Sequence, residues 1–555
     1  MHKILKKTIK YTACGIGVLL LAIILFVSIL YFSADMLTPD YTPKANGELV
    51  QTDSLREYAG NYLRQSNSGL WELKVSGDAF QRGEAIGKLS SDLLYYQEKV
   101  FVDQIREIVP SDNYLKFLRF FIVLFNRNLG KNVPEEFRDE IYGISLSCTH
   151  EYDFIGTPYE RQLNYHSAHD LGHAMQDYML VGCSSFATWG ENSADSSLII
   201  GRNFDFYMGD KFAHNKLVSF YQPEQGYKFA SVGWPGMIGV LSGMNETGLT
   251  VTINAAKSDM PTASATPISI LTREILQYAS TIDEAYAIAL KRKTFVSESI
   301  LIGSAQDGRA AIIEKSPEKT ALFTSSDNQI ICTNHYQSDT FRNDERNQEN
   351  IATSDSPYRF ARLQELLKEN KPIDPMKAAS ILRNQKGLDN IDLGMGNEMA
   401  INQLIAHHSV IFLPEKQIMY VSTSPWQCGK YMAYDLNKIF SDTIDFHHEI
   451  ATLNLTIPED NFIRQANYKQ FMAYKQLTKL IREKTQRKET IETKVLNLYE
   501  ASNPSFYYVY EILGNYYAAI QQTDTAITYW QKALTMPIAK QAEKVRIQQK
   551  INKKQ

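Results

Sequence analysis

The residues after position 183 alternate short apolar runs with turn residues, and this texture constrains the fold of the 555-residue chain more than any other feature. Three pairs of runs are each joined by a polar connector: CSSFATWG/LIIGRNFDF, KLVSFYQP/YKFASVGW and MIGVLSGM/LTVTINAA. Such closely spaced pairs are typical of antiparallel hairpins. Helical patterns follow in PISILTREILQYA and TIDEAYAIAL, and strand patterns return in SILIGSA, AAIIEKS, NQIICTNHY, HSVIFLP and QIMYVSTS. Strands grouped apart from helices predict an α+β domain with stacked layers over residues 183–445.

Two regions of different character lie between residues 35 and 182. Residues 35–70 are polar and contain proline, which predicts a stalk, and residues 71–182 look mainly helical. SSDLLYYQEKVFVDQIREIV and SDNYLKFLRFFIVLFNRNLG repeat apolar residues at spacings of three and four, as helices do. The apolar stretch FLRFFIVLF is too short, and too charged at Arg119, to span a bilayer. We expect it to pack in the core, and contact with a lipid surface or an acyl pocket is the alternative.

The N-terminus predicts a signal anchor. MHKILKKTIK carries four lysines and no acid, and no charged residue follows from Tyr11 to Ala34. An uncharged run of this length reaches the roughly 20 residues that a transmembrane helix needs. Lysines hold their flank in the cytoplasm, so residues 1–34 predict a single-pass membrane protein whose remainder faces outward, into the periplasm or the extracellular space.

Residues 455–555 predict a helical C-terminal region. Within YEILGNYY and AITYWQKAL, seven residues follow the spacing of a tetratricopeptide repeat: Tyr510, Leu513, Gly514, Tyr517, Ala526, Trp530 and Ala533. One repeat cannot bury its own face, so we expect it to pack against residues 461–500 or the main domain. Such a region predicts docking of a protein partner, and an ordinary amphipathic helix pair is the alternative.

Composition and motifs exclude several function classes. The net charge of −4 offers no basic field for nucleic acid. Five cysteines without a CxxC pair predict neither a zinc cluster nor a disulfide framework. His169 and His173 would share one helix face, but the glutamate of HExxH and a third ligand are missing, so we expect no metal and no cofactor. A serine hydrolase is not indicated either, because the chain has no GxSxG elbow.

Cys183, in VGCSSFATWG, lies at the boundary between a predicted helical segment and the first predicted strand. A lone cysteine is usually a small buried hydrophobe. A cysteine that opens a strand can instead be an N-terminal nucleophile, freed by cleavage of the bond before it. Gly182 would accept the strained backbone that an N-to-S acyl shift requires. Cleavage would create an α-amine with an ordinary pKa near 8, which can act as the general base for the thiol.

VGCSSFATWG, IIGRNFDF, NETGLTVTIN, CTNHY and SPYRFAR, in this order, resemble the Ntn-hydrolase superfamily over about residues 140–435. The set is most similar to the choloylglycine hydrolases and the penicillin-type (6-aminopenicillanic acid) acyltransferases. The resemblance implies a four-layer αββα sandwich with Cys183 as the exposed nucleophile. It also implies that Arg202 and Asp205 position the thiol and the α-amine, since a nearby cation favours the thiolate. Because 182 residues precede Cys183, the arrangement resembles that of the acyltransferases, in which an internal Gly–Cys bond breaks.

The resemblance also implies the remaining site residues. Asn254 closes GLTVTIN and Asn334 lies in CTNHY, where side-chain amides would stabilise a tetrahedral oxyanion. In SPYRFAR we favour Arg359 as the distal arginine, with Arg362 as a mechanical alternative. Without this context, either asparagine would be read as a turn residue.

We therefore expect a membrane-anchored amidohydrolase with an α chain ending at Gly182 and a catalytic β chain starting at Cys183. It would cleave linear N-acyl amides through a thioester on Cys183. An amphipathic substrate near the bilayer suits an anchor at residues 11–34. Acyl transfer to an amine acceptor is the alternative within the enzyme class. An inert membrane scaffold that docks a partner through its C-terminal helices is the alternative outside it.

Overall fold

The computed structural model describes residues 2–32, 34, 36, 38–41, 47–52, 54–108, 111–174, 180–257 and 264–554. The helices are α1 (His2–Phe32), α2 (Ala79–Ile108), α3 (Asp112–Phe125), α4 (Leu129–Asn132), α5 (Glu135–Ser145), α6 (Pro158–Ala174), α7 (Ile268–Tyr278), α8 (Ile282–Lys291), α9 (Glu345–Thr353), α10 (Ser356–Asn370), α11 (Pro375–Leu382), α12 (Leu436–Ile439), α13 (Ala466–Arg487), α14 (Thr493–Ser502), α15 (Tyr507–Ala519), α16 (Thr523–Leu534) and α17 (Gln541–Asn552). The strands are β1 (Val50–Gln51), β2 (Leu55–Tyr58), β3 (Asn61–Gln65), β4 (Trp71–Gly77), β5 (Leu180–Val181), β6 (Ser184–Gly190), β7 (Ser196–Phe204), β8 (Phe206–Tyr207), β9 (Leu217–Pro223), β10 (Phe229–Gly233), β11 (Ser242–Asn245), β12 (Leu249–Ala255), β13 (Glu298–Ser304), β14 (Arg309–Lys315), β15 (Thr320–Phe323), β16 (Gln329–Cys332), β17 (His408–Leu413), β18 (Ile418–Ser422) and β19 (Tyr431–Asp435).

Two large sheets organise the fold. The eleven-stranded sheet has the order β1-β2-β3-β4-β9-β10-β11-β12-β13-β14-β15, and the six-stranded sheet has the order β16-β6-β7-β17-β18-β19. The hairpins predicted from residues 183–255 form as β6–β7, β9–β10 and β11–β12, and all three pairs are antiparallel. β5 and β8 form a separate two-stranded ribbon beside Cys183.

The side chains of each strand alternate between two cores, which places the two sheets face to face. Leu198 and Ile200 of β7 join a core that also contains Val218 of β9, so this core lies between the sheets. Ile199, between them in sequence, packs with α10 and α11 on the opposite face of the six-stranded sheet. A further core joins the outer face of the eleven-stranded sheet to α2, α5 and α7. Because adjacent strand residues point to opposite faces, this alternation gives the layer order helix, sheet, sheet, helix of the predicted α+β fold.

The predicted stalk at residues 35–70 is wrong in its second half, and residues 71–182 do not begin as a helix. β2 and β3 form a hairpin around Ala59 and Gly60, whose φ angles are 49° and 72°. Two successive residues with positive φ form the type of turn that matches the twist of a two-residue hairpin. β4 then pairs in parallel with β9, so this segment extends the eleven-stranded sheet. β1 to β3 are only two to five residues long, which is too short for a clear periodic pattern, and the alternation of Trp71, Leu73 and Val75 in β4 was overlooked.

The two apolar segments near the N-terminus differ from expectation. In the part of the chain that the structure describes, no helix combines the length and apolarity needed to cross a membrane, so the predicted transmembrane helix is not supported. The FLRFFIVLF segment lies in α3 and is only partly in the core. Val123 is buried, whereas Phe117 and Phe121 expose about half of their surface.

The C-terminal region is helical as predicted, and its helices pack on one another and on the main domain. Trp530 of α16 lies directly over Gly514 of α15. Tyr517 and Tyr529 stack with ring centroids 5.4 Å apart. The core of this region also contains Leu404 and Cys428 of the catalytic domain. The predicted helix pair is therefore one element of a larger helical bundle seated on residues 391–430.

We expect Gly514→Ala to destabilise the protein by about 1–3 kcal/mol, because atoms of the Trp530 indole occupy the space that a Cβ would need. Thr528→Ala, on the exposed side of α16, should change stability by less than about 0.5 kcal/mol. Thermal unfolding of both variants measures the difference. Equal melting temperatures would contradict the close packing of α15 on α16.

Candidate active site

Cys183 lies between the β5–β8 ribbon and the start of β6, with 1% of its surface exposed. The backbone N–H of Gly182 donates to the carbonyl of Asp205 at 3.1 Å, which continues the ribbon up to the cysteine. In the β6–β7 pair, Ser185 stands opposite Arg202. The hairpin register therefore brings the GRNFDF motif of β7 alongside the thiol, although 19 residues separate Cys183 from Arg202.

Arg202 is the cation of the site. Its Nη2 donates to Cys183 Sγ at 3.7 Å and to the carbonyl of Ile253 at 2.5 Å. Burial raises the pKa of the Cys183 thiol to about 11, although the Arg202 charge acts in the opposite direction. In the uncleaved chain the thiol is consequently protonated at neutral pH, and it needs a base before it can attack a carbonyl.

A buried hydrogen-bond network positions the Arg202 guanidinium. Arg202 Nη1 donates to Ser242 Oγ at 2.6 Å and to His408 Nε2 at 3.3 Å, and His408 Nδ1 lies 2.9 Å from His407 Nδ1. Because an arginine can only donate, His408 Nε2 accepts and its hydrogen is on Nδ1, facing His407. Burial lowers the pKa of both histidines, that of His407 to about 3, so both are neutral. This network of neutral side chains therefore positions the Arg202 guanidinium without adding charge.

Asp205 is a buried carboxyl whose two oxygens have no hydrogen-bond partner among the described residues. Burial raises its pKa to about 8, and the charges of Arg359 and Arg202 only partly offset this effect. The carboxyl is close enough to Cys183 to raise the pKa of the thiol. A group with this pKa can accept a proton near neutral pH, and it can pair with an ammonium group if one forms at Cys183.

Arg359, and not Arg362, contacts Cys183, at its backbone carbonyl. Arg359 Nη1 donates to the carbonyl of Cys183 at 2.6 Å and to Ser184 Oγ at 2.9 Å, and its Nη2 donates to Asn334 Oδ1 at 2.6 Å. Arg362, one turn later on α10, instead bonds to Asn384, Asn390 and Glu365. The structure thus distinguishes the two arginines that the sequence left as alternatives.

The two predicted oxyanion residues connect the two sheets next to Cys183. Asn254 Nδ2 donates to the carbonyl of Cys332 at 2.8 Å, and Asn334 Nδ2 donates to the carbonyl of Ala255 at 2.8 Å. Both amide nitrogens are therefore already engaged with backbone carbonyls in the uncleaved chain. Their role as oxyanion donors stays a prediction.

Three further residues of the site were missed in the sequence: Ser242, His408 and Gln403. The amide of Gln403 donates to the carbonyl of Gly182 at 3.0 Å. The adjacent His407 and His408, at the start of β17, were the one sequence feature that could have indicated a functional position here, but they match no known motif. The side chains of His169 and His173 lie outside the described residues. Among the described side chains, no cluster of three histidine, cysteine or acidic residues could hold a metal.

Asp205→Asn should stabilise the uncleaved chain at neutral pH. The unfolded carboxyl loses its proton near pH 4 and the folded one near pH 8, so this group costs stability increasingly as the pH rises between these values. We expect an advantage on the order of a few kcal/mol at pH 8 and little at pH 4. Melting temperatures of Cys183→Ala and Cys183→Ala/Asp205→Asn across this range measure it. A constant difference would show that Asp205 has an ordinary pKa.

Part of this chain is similar to a known protein family and to other sequences. Residues 190–419 match the family model described as AAT: acyl-coenzyme A:6-aminopenicillanic acid acyl-transferase. An uncharacterized protein of Archaeoglobus fulgidus is 25% identical over 278 residues, which cover 47% of this chain and 46% of that protein. The chain spans about half the length of the curated relatives that it matches.

Solved structures of two enzymes are also similar to part of this chain. The N-acylethanolamine-hydrolyzing acid amidase ortholog of Caenorhabditis elegans has 14% identity and a TM-score of 0.31, with 42% of this chain and 93% of that chain covered. Penicillin V acylase from Agrobacterium tumefaciens has 16% identity and a TM-score of 0.32, with 46% of this chain and 87% of that chain covered. The family match over residues 190–419 confirms the predicted resemblance to the enzymes of the Ntn-hydrolase superfamily, on its acyltransferase side.

Proposed function

We propose that this protein is an N-terminal-cysteine amidohydrolase. Self-cleavage between Gly182 and Cys183 activates it, and it then hydrolyses linear N-acyl amides through a thioester on Cys183. The observation that carries the proposal is the convergence of three buried ionisable side chains on one cysteine. Arg202 contacts the sulfur, Arg359 the carbonyl oxygen, and Asp205 lies beside the residue without a partner of its own among the described residues. Burying such groups is costly where they are not fully paired, and incompletely paired ionisable groups of this kind are concentrated at functional sites.

The proposed reaction follows from these positions. In the cleaved protein the α-amine of Cys183 takes the thiol proton, and Asp205 holds the resulting ammonium. Arg202 stabilises the thiolate, which attacks the amide carbonyl of the substrate. Amide donors stabilise the oxyanion, the amine leaves with the proton, and the acyl group remains on sulfur as a thioester. Water then releases the acid and restores the thiol.

Acyl transfer is the second candidate, and the description of the matched family supports it. Both reactions share the thioester and differ only in whether water or an amine attacks it. The amphipathic substrate, the bilayer contact through residues 11–34 and the outward-facing domain stay predictions of the sequence.

An inert scaffold is the rival from another class, and one variant separates it from an enzyme. Intact-mass measurement of the purified chain should find a fragment that begins at Cys183. Cys183→Ala should stay uncut and lose all activity toward a panel of N-acyl amides, because no thiol remains to attack. Cys148→Ala, at the end of α5 and away from the site, is the control and should be cut normally. Activity in Cys183→Ala would remove the nucleophile assignment.

The two arginines of α10 provide a matched pair. Arg359→Met should slow self-cleavage and amide hydrolysis by about 100-fold or more, since it removes the donors at Cys183 and Asn334. Arg362→Met removes an equally buried arginine whose partners lie elsewhere, so cleavage should change by only a few-fold even if the melting temperature falls. Pulse–chase of both full-length chains measures the cleavage rates. A similar loss in both variants would mean that Arg359 acts only through stability.

A further inference from the structure

Gln403 donates its side-chain amide to the bond that self-cleavage would break. Its Nε2 lies 3.0 Å from the carbonyl oxygen of Gly182, and Gln403 is 3% exposed. We infer that Gln403 is the oxyanion donor of the self-cleavage step, an inference that rests on the proposed function. This assignment is separate from the donors used on substrates, because it concerns a carbonyl that belongs to the chain itself.

The close approach of Gln403 explains why residue 182 is glycine. A Cβ built on Gly182 would lie 2.6 Å from Gln403 Nε2 and 3.3 Å from its Cδ. A side chain at residue 182 would therefore displace the Gln403 amide from this carbonyl. Gly182 is not among the residues with positive φ, so the expected strained glycine backbone is not what requires glycine here. The requirement is room for a donor at the carbonyl.

The other amides near Cys183 are engaged elsewhere. Asn254 Nδ2 and Asn334 Nδ2 donate to the carbonyls of Cys332 and Ala255. Arg359 bonds to the carbonyl of Cys183, on the other side of the scissile bond. Gln403 is thus the described side chain whose donor already faces the carbonyl oxygen that would become negative. A donor placed in advance is what stabilises a developing oxyanion most effectively.

The local backbone around Gln403 is strained, and surrounding contacts hold it in place. Leu404 has φ of 55°, a left-handed conformation that a bulky residue rarely adopts. Its backbone N–H donates to Asn402 Oδ1 at 3.0 Å, and its side chain is fully buried among the C-terminal helices. Asn402 Nδ2 in turn donates to Cys428 Sγ. Strain that the surroundings maintain in this way is typical of functional positions.

The step itself balances with water as the co-reactant. The Cys183 thiol loses its proton, and sulfur forms a bond to the carbonyl carbon of Gly182. The carbonyl oxygen becomes negative and accepts a stronger hydrogen bond from Gln403. When the carbonyl re-forms, the Gly182–Cys183 C–N bond breaks, and the nitrogen takes the proton to become the α-amine. Water hydrolyses the thioester, which leaves a carboxylate on Gly182 and a free thiol on Cys183.

Gln403→Met tests the inference, because it keeps the volume of the side chain and removes the donor. Pulse–chase of the full-length chain should show cleavage at least about 100-fold slower than in the natural chain, the usual effect of losing one oxyanion donor. Gln427→Met is the matched control. Gln427 is also fully buried, and its amide donates to the carbonyl of Leu382, away from the scissile bond. The Gln427→Met chain should be cleaved at a rate within a few-fold of that of the natural chain.

Hydroxylamine identifies which step is slowed, and the melting temperature controls for an effect on folding. It cleaves a thioester once one has formed, so it cannot restore cleavage if Gln403 acts in the attack that forms it. Persistently slow cleavage of Gln403→Met in hydroxylamine, with a melting temperature close to that of Gln427→Met, supports the inference. If Gln403→Met is cleaved as fast as the natural chain, or if hydroxylamine restores its rate, Gln403 is not the donor. If the natural chain itself stays uncut, the self-cleavage in the proposed function fails as well.

Discussion

The site depends on keeping one guanidinium buried against one sulfur. Arg202 lies near the C-terminal end of β7, has no exposed surface, and contacts the thiol, a backbone carbonyl, a serine and a histidine. A buried cation is stable only where polar groups replace its water, and both sheets supply such groups. The β6–β7 register, the position of β11 with Ser242, and the start of β17 with His408 all satisfy this one requirement.

In the intact chain, burial holds Cys183 and Asp205 in their protonated forms at neutral pH. Burial favours a protonated Cys183 thiol and raises the pKa of Asp205 to about 8. A new α-ammonium group would change both, because it supplies a positive charge where Asp205 now has no hydrogen-bond partner in the described part of the chain. Under the proposed mechanism, cutting one peptide bond thus supplies a base for the thiol and a partner for the carboxyl at once.

Local patterns in the sequence predicted the parts of the fold that local contacts create. The three hairpins after residue 183 were predictable because each pair of strands is joined by a short polar turn. Arg202 and Asp205 were found because GRNFDF is one contiguous motif. Ser242, His408 and Gln403 were not, because their partners lie 40 to 221 residues away and only the folded sheets bring them together. The place of β4 in the large sheet was missed for the same reason, since β4 pairs with a strand more than 140 residues later.

The parallel pairing of β4 with β9 has a consequence for the fate of the two halves. Residues before position 183 contribute four strands to the eleven-stranded sheet, and α2 and α5 among the helices that cover its outer face. If the backbone is cut at Gly182, the halves would still share continuous sheet hydrogen bonds and a common hydrophobic core. The cut product would behave as one particle in native conditions and as two polypeptides in denaturant. Under the proposed cleavage, the N-terminal half would therefore stay as a subunit of the folded protein, in contrast to a propeptide that is shed.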